Sequence, residues 1–575
     1  MPYVYTIFSN FKLTFLNYSF TIIMSAKTVL KEGSTELEHI CELDISQQAT
    51  HQRLVSLIAT ISLSSRNADV IYSMIMRGVN IFRLNFSHES HEMHSKTIEL
   101  INEALERIHK ETGQIRTVAI AADTRGPQIR TGLLDGEVFL RTGDNLRLSI
   151  NRDLYDKGNK EAVYVDYPNI INLTKTGDRL FIDDGKLLLH IMEVGVDGLL
   201  CEVIQGGQLN NNCNVILPEI EIDLPAVSEK DMFDLQFSMK ANVDFLFASA
   251  VRSAKNVKEL RAVLGEKGKH IKIIAKMDSK IALSRFSEIM KAADGLLLSR
   301  ADLGTQIPIE KLFITQKSIL GQCNKAGKPV IVASHILESM RTRQHPTRAE
   351  CFDLANAIID GADCIMLSSE VAIGAFPKET VATCDILCRE AEKVLWFRDL
   401  FSDLVSEVRG ELDAAHSLAI AAVETAKRTN ATLIVVLTTS GRSATLVSKF
   451  RPRCPILAVT RCGRAARWVY MHRGVLPVLY TSEMISDYAS DVDARVQFAL
   501  TSAKKWNIID DGDPIVIVSA WKDGGGFTNN VRVVYAFFEA DRVDCLFRAD
   551  RRKSRKNSNL QMANREPEDK KSFHA

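Results

Sequence analysis

The chain has 575 residues, of which 46% are hydrophobic and 25% are charged, and its formal net charge is +1. This length exceeds what one hydrophobic core can hold, so we expect several domains of ordinary globular composition. The balanced charge gives no electrostatic reason to expect nucleic acid or a membrane surface as a partner.

The two ends of the chain are expected to lie outside the folded domains. Residues 1–34 are predicted to be an unstructured extension; within the first 24, Lys12 is the one charge, and a functional start at Met24 is an alternative. A signal anchor or mitochondrial presequence is disfavoured because its arginines and small-residue cleavage pattern are missing. Residues 546–575 form a polar tail of mixed charge and are predicted to be disordered.

Cysteine usage and hydropathy bear on the compartment. The eleven cysteines form no C-x-x-C pair and no secreted-type framework, which favours a reducing compartment, and we expect a cytoplasmic protein. No apolar run reaches the roughly 18 residues that a membrane-spanning helix needs. We therefore expect no membrane association.

Eight short apolar runs alternate with helical patterns between residues 53 and 370, which is typical of parallel β/α units. The runs are RLVSLIAT, VNIFRLNF, RTVAIAADT, VDFLFAS, IKIIAKMD, ADGLLLSR, PVIVAS and CIMLSS. Eight such units predict an α/β fold with a (β/α)₈ TIM barrel, to which we assign residues 35–124 and 224–395. Each run ends in polar groups, and the strand ends of such barrels meet at one mouth, where active sites lie.

Two further domains follow from the rest of the pattern. A segment much longer than an ordinary connection separates the third run from the fourth, and its alternating patterns around Gly-Asp turns predict hairpins. We assign residues 125–223 to a small inserted β-barrel domain that serves as a lid over the mouth. Strands such as ATLIVVLT and DPIVIVSA alternate with helices in residues 396–545, which predicts a C-terminal open α/β domain.

Lys276 and Asp278 end the fifth run and Asp302 follows the sixth, so these three side chains are predicted to meet at the mouth. Two carboxylates at neighbouring strand ends offer the oxygen ligands that Mg²⁺ prefers, and this ion usually takes substrate oxygens as well. A lysine beside them supplies positive charge where the negative charge of a phosphoryl group accumulates. The alternative is a salt-bridge network that closes the barrel.

The segment RLNFSHESHEMH places Arg83, Asn85 and Ser87 on one face of the second run, with His88 where a helix begins. Amide and hydroxyl oxygens suit a monovalent cation, and an arginine suits a phosphate. The alternative is that Ser87 is a helix N-cap and that the histidines, His91 and His94 included, are surface residues.

A second candidate site lies in the C-terminal part. TTSGRSA, residues 438–444, stands between a strand and a helix, and DGGGFTN, residues 523–529, follows a later strand. Amide groups at the helix start, together with Ser440, Arg442 and Ser443, form a candidate phosphate cradle that a glycine loop can approach closely. An ordinary capped helix is the alternative.

Together these segments resemble the pyruvate kinase family over roughly residues 35–538. The matching segments, in order, are NIFRLNFSH, ADTRGPQIRTG, LPAVSEKD, IKIIAKMD, GKPVIVAS, HPTRAE, ANAIIDGADCIMLSSE and LTTSGRSA. The resemblance implies a divergent, animal-type paralogue that transfers the phosphoryl group of phosphoenolpyruvate to ADP, giving pyruvate and ATP in glycolysis. It also implies Mg²⁺ or Mn²⁺ and K⁺ as cofactors, a homotetramer, and allosteric control.

The resemblance implies a role for each polar group at the mouth. Catalytic roles fall to Lys276, Arg83 and Ser334. The implied substrate-binding residues are Arg83, Lys276, Ala301, Asp302 and Ser334. The implied metal ligands are Asp278 and Asp302 for Mg²⁺, and Asn85, Ser87, Asp123 and Thr124 for K⁺. The implied nucleotide-binding residues are Asn85, His88 and Arg130, and a second Mg²⁺ would travel with the nucleotide.

The resemblance places an effector site in the C-terminal domain. Its ligand would be a sugar bisphosphate, fructose 1,6-bisphosphate in animal enzymes. The implied effector residues are Thr438, Thr439, Ser440, Gly441, Arg442, Ser443, Arg495 and Gly525.

Several positions depart from the family pattern. Ser62 and Leu63 stand where the family has Gly-Pro, and Asp278 stands where it has a glutamate. Ala301 replaces a glycine, and Cys213 replaces a lid lysine expected near the nucleotide. Because a misplacement of about 1 Å can cost on the order of 100-fold in rate, one alternative is an impaired paralogue that binds metabolites or acts as a regulatory subunit. A Mg²⁺-dependent barrel lyase acting on a 2-oxo acid is another, but it leaves the lid and the C-terminal domain unexplained.

Overall fold

The computed structural model describes residues 35–46, 52–183, 185–218, 220, 222–522, 526 and 528–536. The predicted extension 1–34, the tail 546–575 and Gly525 therefore lie outside the described residues. The chain divides into two compact units, residues 1–48 and residues 49–575. The described part of the first unit contains the helix Glu36–Cys41, which Thr35 caps. Every element below belongs to the second unit.

The second unit opens with three parallel strands joined by helices. These strands are β1 (Ser56–Thr60), β2 (Val79–Asn85) and β3 (Ala119–Asp123). All five residues of β1 are buried, as a strand covered on both faces requires. The chain then leaves the barrel for the inserted β domain.

The inserted β domain is built from short strands. They are β4 (Ile129–Arg130), β5 (Val138–Leu140), β6 (Asn145–Ser149), β7 (Ala162–Tyr164), β8 (Arg179–Ile182), β9 (Leu187–Val194), β10 (Gly198–Gln205), β11 (Gly207–Leu209) and β12 (Asn214–Ile216). Seven form one sheet in the order β4-β12-β8-β9-β10-β6-β7, and β11 pairs with β5. A 3₁₀ turn at Arg152–Leu154 and a helix at Ile170–Leu173 complete it. Alternate residues of these strands pack into a separate hydrophobic core.

The chain returns to the barrel with five more strands. They are β13 (Phe245–Ala248), β14 (Lys272–Met277), β15 (Gly295–Ser299), β16 (Val330–Ala333) and β17 (Cys364–Leu367). The eight strands close in the order β1-β17-β16-β15-β14-β13-β3-β2, and every neighbouring pair is parallel. The predicted (β/α)₈ barrel is thus confirmed, and each of the eight apolar runs supplies one strand.

Helices surround the barrel. They are Ala68–Met76, His91–Thr112, Glu229–Lys240, Ala254–Leu264, Lys280–Ser284, Phe286–Ala292, Arg300–Gly304, Leu312–Ala326, Arg348–Ile359, Ser369–Ala372 and Pro377–Lys393, with 3₁₀ turns at Ile309–Lys311 and Glu338–Arg341. Local signals set several of their limits. Ser228 and Thr347 open helices with reciprocal capping boxes, and Gly113 and Gly327 end helices in the left-handed conformation.

The two faces of each barrel strand have different surroundings. Outward residues pack under the helices, whereas inward residues such as Ile58, Ile81 and Ile274 fill the barrel interior. Because side chains alternate along a strand, the inward position after Ile81 is Arg83, and the inward position after Ile274 is Lys276. The interior therefore changes from apolar to charged at the carboxyl ends of the strands.

The C-terminal part forms a second parallel sheet. Its strands are β18 (Leu433–Leu437), β19 (Ile456–Thr460), β20 (Val475–Leu479), β21 (Pro514–Ala520) and β22 (Thr528–Tyr535), in the order β20-β19-β18-β21-β22, with only β22 antiparallel to its neighbour. Its helices are Phe397–Ser406, Ala414–Thr429, Arg442–Lys449, Gly463–Trp468 and Tyr488–Lys505, with a 3₁₀ turn at Val469–Met471. Trp468, Tyr470 and Met471 pack against the interior residues at the amino ends of the barrel strands, so this domain closes the barrel floor. Among the described residues, no helix combines the length and the hydropathy that crossing a bilayer requires.

Candidate active site

Arg83, Asp123 and Lys276 form a chain of contacts at the barrel mouth. Arg83 Nε donates a hydrogen bond of 2.6 Å to Asp123 Oδ2, and its Nη1 donates one of 3.1 Å to Thr60 Oγ1. Lys276 Nζ lies 3.6 Å from Asp123 Oδ1 and donates to Ser249 Oγ at 2.9 Å. One carboxylate thus holds two cationic groups, so these three side chains together carry one net positive charge.

The charge states of this chain of contacts follow from their surroundings. Burial favours the neutral acid of Asp123, but Arg83 and Lys276 outweigh it, so the pKa of Asp123 is lowered. Burial also disfavours the ammonium group of Lys276, but the attraction of Asp123 and Asp302 prevails and its pKa is raised. Both groups are therefore ionised at neutral pH, and Lys276 offers a permanent positive charge.

Asp278 and Asp302 lie beside Lys276. Asp278 follows β14 and accepts a 2.8 Å hydrogen bond from the Ala250 amide, and Asp302 accepts one of 2.5 Å from Ser299 Oγ. Burial, followed by the repulsion of Asp302, raises the pKa of Asp278 to about 6. A divalent cation would relieve this repulsion, and carboxylate oxygens are the ligands that Mg²⁺ prefers. The two carboxylates therefore fit a Mg²⁺ ion.

No group of three or more His, Cys, Asp or Glu side chains arranged for a metal ion occurs in the described parts of the chain. A Mg²⁺ ion held by Asp278 and Asp302 would consequently need further oxygen ligands from substrate and water, as is usual for Mg²⁺ in phosphate chemistry.

The cleft above the mouth holds about 880 Å³ of empty space. Lys276, Asp278 and Asp302 line its barrel side. Residues of and around the inserted β domain line the rest, including the polar Arg125, Gln128 and Arg252 and the apolar Ile129, Ile216 and Ile222. The buried charges thus open into a space large enough for small phosphorylated substrates.

The four residues predicted for K⁺ lie at the ends of β2 and β3. Asn85 and Asp123 are paired across the two strands, and Asn85 Oδ1 accepts a 3.2 Å hydrogen bond from the Ser87 amide. Thr124 Oγ1 accepts from the Ser249 amide at 3.3 Å. Carboxylate, amide and hydroxyl oxygens at adjoining strand ends fit a weakly charged cation.

Ser334 stands in an unusual backbone conformation after β16. Its φ is +72° and that of His335 is +54°, a region that residues other than glycine rarely adopt. Arg300 Nη2 donates to the carbonyls of Ser334 at 2.8 Å and His335 at 3.1 Å, and it also pairs with Asp353. Arg300 thus holds the Ser334 loop next to Ala301 and Asp302.

The sequence noted Arg300 only as a polar strand end and gave it no functional role. Its contacts join loops after β15 and β16, and no local pattern reveals such contacts. Ser249 was noted only as a polar strand end, yet it donates to Asp123 Oδ1 at 3.4 Å and accepts from Lys276. Both residues support the groups that the sequence did identify.

Within the described part of the chain, the cleft lining includes none of the three residues predicted to bind a nucleotide, Asn85, His88 and Arg130. Arg130 lies on β4, and its guanidinium donates to the Asn212 carbonyl and to Gln128 Oε1, both at 2.7 Å. His88 is exposed in the turn that follows β2. Of these groups only Gln128, which the sequence did not single out, lines the cleft.

Two interpretations of the segment after β2 are wrong. The helix begins after Ser90, whose Oγ accepts from the Met93 amide, so Ser87 is not its N-cap. His94 is fully buried against Phe86, with ring centroids 4.9 Å apart, and burial lowers its pKa to about 4. His91 keeps partial exposure, with Nε2 2.7 Å from Asp234 Oδ1. The helical period turns one histidine inward and leaves the other near the surface.

The residues that depart from the family pattern have their own partners. Cys213 is buried in the core of the inserted β domain, and its Sγ lies 3.1 Å from the Asn210 carbonyl, while the adjacent Asn214 lines the cleft. Ser62 Oγ donates to Glu89 Oε1 at 2.6 Å, and Leu63 is exposed. The Cys213 side chain therefore belongs to a hydrophobic core and not to the cleft wall.

The predicted effector segment forms a tight turn before the helix Arg442–Lys449. Gly441 has a φ of +87°, and its amide donates to Thr438 Oγ1 at 3.0 Å. Ser443 Oγ lies 2.8 Å from Thr528 Oγ1, so the two predicted segments meet. Arg442 pairs with Asp413, and Arg495 pairs with Asp491, at 3.1 and 2.9 Å.

A closed parallel barrel whose mouth carries a buried ammonium group and two carboxylates defines a (β/α)₈ enzyme suited to phosphoryl transfer. Comparison with known proteins gives the family. The model of the pyruvate kinase barrel domain matches residues 52–381, and the model of the pyruvate kinase alpha/beta domain matches residues 416–534. The chain belongs to the pyruvate kinase family.

Curated relatives match nearly the whole chain. Pyruvate kinase PKLR of Homo sapiens is 45% identical over 506 residues, which are 87% of this chain and 88% of the relative. The pyruvate kinase of Candida albicans is 40% identical over 84% of this chain and 96% of its own length, and pyruvate kinase 1 of Saccharomyces cerevisiae is 38% identical over 87% and 99%. These relatives support an enzyme with pyruvate kinase function and do not support the alternative of an impaired paralogue.

Proposed function

We propose that this enzyme transfers the phosphoryl group of phosphoenolpyruvate to ADP in the cleft above the barrel mouth, giving pyruvate and ATP. In this reaction the bond between phosphorus and the enol oxygen breaks, and a bond forms to a β-phosphate oxygen of ADP. The enolate that remains takes a proton at carbon. The observation that carries the proposal is that Lys276, Asp278 and Asp302 line one cleft, with Arg83 linked to Lys276 through Asp123.

Charge neutralisation is the main contribution of the chain's own residues. The transferring phosphoryl group and the departing enolate oxygen carry negative charge, which Lys276 and Arg83 meet from the barrel side. Arg83 is buried and only 13% of the Lys276 side chain is exposed, so their attraction for that charge is stronger than it would be in water. Because Ser249 and Asp123 hold Lys276, little reorganisation accompanies transfer.

We assign Mg²⁺ or Mn²⁺ to Asp278 and Asp302, and K⁺ to Asn85, Ser87, Asp123 and Thr124. The divalent ion, when bound, would act as a Lewis acid toward phosphoryl and carbonyl oxygens. Without a cation Asp278 has a raised pKa, first because it is buried and then because Asp302 repels its charge. These residues therefore hold negative charge that a bound cation would balance.

Substrate position depends on the loops after β15 and β16. We propose that Ala301, Asp302 and Ser334 contact phosphoenolpyruvate and its product enolate. Arg300 ties these loops together through the Ser334 carbonyl, which keeps the Ser334 hydroxyl in one place. We infer that Arg300 is a positioning residue, because it acts through Ser334.

The nucleotide is proposed to enter between the mouth and the inserted β domain. Asn85 and His88 lie on the barrel side, and Arg130 lies in the inserted domain. A second Mg²⁺ would accompany the nucleotide phosphates. We propose that the inserted domain acts as a lid, which would bring Arg130 toward ADP and exclude water from the cleft.

The proposal also covers the oligomeric state, the allosteric control and the cellular location of the enzyme. Large apolar side chains are exposed on and near the helices Leu312–Ala326 and Arg348–Ile359, and a homotetramer would cover such a surface. They are Ile309, Phe313, Ile314 and Phe352, which are 80%, 60%, 50% and 72% exposed. We further propose a cytoplasmic, glycolytic enzyme whose C-terminal turn at residues 438–443 binds a sugar bisphosphate.

The proposal is tested by steady-state assay of the purified full chain. Phosphoenolpyruvate, ADP, Mg²⁺ and K⁺ are supplied together, and pyruvate is followed with a coupled dehydrogenase. We expect turnover that requires both substrates and the divalent ion, and that falls in Asp302→Asn by at least about 100-fold. The matched control is Asp69→Asn, which removes a carboxylate that pairs with Arg107 and does not line the cleft. Turnover in Asp302→Asn equal to that of the wild type would contradict the assignment.

A further inference from the structure

A second cavity lies beneath the barrel floor, between the amino ends of the barrel strands and the C-terminal domain. We call it the floor cavity, and it holds about 840 Å³ of empty space. Phe245 and Ile274 line it from the barrel interior, and Trp468 and Met471 line it from the C-terminal domain. Its apolar walls are therefore built by both domains.

One cationic group in the floor cavity is only loosely balanced. Lys272 Nζ lies 4.8 Å from the centroid of the Trp468 ring and 3.9 Å from Asp294 Oδ1. Asp294 is in turn engaged by the Arg261 guanidinium and by the Ile273 amide. The charge of Asp294 is thus shared, and much of the positive charge of Lys272 faces the cavity and the indole ring.

The indole of Trp468 supplies an unused hydrogen-bond donor. Within the described residues its Nε1 is buried and has no hydrogen-bond partner. A buried N–H group without an acceptor is costly, and an unmet one in a native structure points to a missing partner. The ring thus combines a free donor with a contact to the Lys272 ammonium group.

We propose that the floor cavity binds a small carboxylate with an apolar or aromatic body. The body would pack on Phe245, Ile274 and Met471, and the carboxylate would accept from the Lys272 ammonium group and the Trp468 indole. A multiply charged anion fits less well, because Asp294 lies within reach of Lys272 and Arg442 on the cavity wall is already paired with Asp413. The chemistry therefore favours a single negative charge on an apolar frame.

The position of the cavity links it to the mouth. Lys272, Ile274 and Lys276 alternate along β14 and share its inward face, so they form one column through the barrel. Four residues of strand separate the two lysines by roughly 13 Å. A ligand on Lys272 would therefore contact the strand that carries Lys276, and we expect it to change turnover. The binding itself is independent of the proposed function, whereas this kinetic effect rests on it.

The test measures binding of phenylacetate to the full chain by saturation-transfer NMR. We expect binding by the wild type, and affinity at least about tenfold weaker in Lys272→Gln, because a charge-assisted contact is lost. Trp468→Phe, which keeps the aromatic surface and removes the N–H donor, should weaken binding less. The matched control is Lys427→Gln, since Lys427 Nζ also stands over a ring, 5.3 Å from the centroid of Phe401, outside the cavity lining.

Several outcomes would overturn the proposal. They are absence of phenylacetate binding by the wild type, equal affinity in Lys272→Gln, and loss of binding in Asp302→Asn, which would place the probe at the mouth. Inorganic phosphate serves as a second probe. If phosphate binds in a Lys272-dependent manner and phenylacetate does not bind, the proposal that the ligand has an apolar body is overturned. If Lys272→Gln does not fold, Lys272→Arg should retain binding and Trp468→Phe should lose part of it. Binding without a change in the turnover of phosphoenolpyruvate would overturn only the link to the mouth.

Discussion

The mouth and the floor of the barrel both bury charged side chains, but they balance them differently. At the floor, Asp363 accepts from Arg451 and from the Val330 amide, both at 3.0 Å, and from the Arg473 amide at 3.2 Å. At the mouth, Asp278 accepts one protein amide and is repelled by Asp302. Burial is therefore not what marks the functional site. The Asp363 carboxylate accepts from donors of both domains and joins them, whereas the Asp278 carboxylate accepts one amide and is open to a ligand.

Removing the Lys276 ammonium group from the barrel mouth is expected to have the largest effect on turnover. Lys276→Met deletes the ammonium group that faces the developing charge, so kcat should fall by about 100- to 1,000-fold. The coupled pyruvate assay measures this loss, and the thermal unfolding midpoint checks the fold. Lys449→Met is the matched control, because the Lys449 ammonium lies over the Phe450 ring in the C-terminal domain. A kcat in Lys276→Met within about threefold of the control would contradict the role of Lys276.

Breaking a floor pair should affect stability more than catalysis. Asp363→Asn leaves Arg451 buried without its counter-charge, and we expect a loss of about 3 kcal/mol or more in the free energy of unfolding. Urea-induced unfolding measures the change, and kcat per folded molecule should be retained. An Asp363→Asn variant that unfolds with the same free energy as the wild type but has a lower kcat would contradict the difference between the mouth and the floor.

Replacing the positioning residue Arg300 should have an intermediate effect on turnover. Arg300→Lys keeps the charge but cannot bind the Ser334 and His335 carbonyls together with Asp353, so kcat should fall by about tenfold or more. The matched control is Arg261→Lys, because Arg261 also binds a carbonyl and a carboxylate, away from the mouth. Steady-state kinetics should show a fall in kcat for the first variant alone. Equal kcat values in Arg300→Lys and Arg261→Lys would contradict the positioning role of Arg300.

The smallest expected effect is on the pH dependence of the stability of the fold. Burial raises the pKa of Glu370, at the carboxyl end of β17, to about 8 from an ordinary value of 4.5. The folded chain therefore keeps a proton that the unfolded chain releases, and stability is lost as pH rises through this window. Glu370→Gln mimics the protonated acid, so above pH 8 it should be more stable than the wild type by about 1 kcal/mol or more, and near pH 4.5 the two should be similar.

Glu350 provides the matched control for this pH dependence. Hydrogen bonds from Ser339 and Thr347 outweigh burial and lower its pKa, so its stabilisation is present above pH 4.5. Glu350→Gln should therefore be less stable than the wild type at neutral and higher pH. Thermal unfolding across this pH range checks both variants. Shifts of the same sign in the two variants would contradict the difference between the two carboxylates.

The sequence predicted the barrel because its strands are continuous apolar runs that end in polar residues. The run that contains Lys276 and Asp278 predicted both a barrel strand and the charged side chains at its carboxyl end. Contacts between distant segments cannot be predicted from such patterns: Asp363 and Arg451 are 88 positions apart, and no pattern in the sequence pairs them. The sequence likewise made no prediction for the direction of the Cys213 side chain, which the structure places in the core of the inserted β domain.

The central claim is that the mouth moves a phosphoryl group between the two substrates, and ³¹P NMR of the purified full chain tests it most directly. With phosphoenolpyruvate, ADP, Mg²⁺ and K⁺ present, the phosphoenolpyruvate resonance should decrease as the γ-phosphate resonance of ATP increases in equal amount. Loss of phosphoenolpyruvate to inorganic phosphate, or no change in either resonance, would contradict the account.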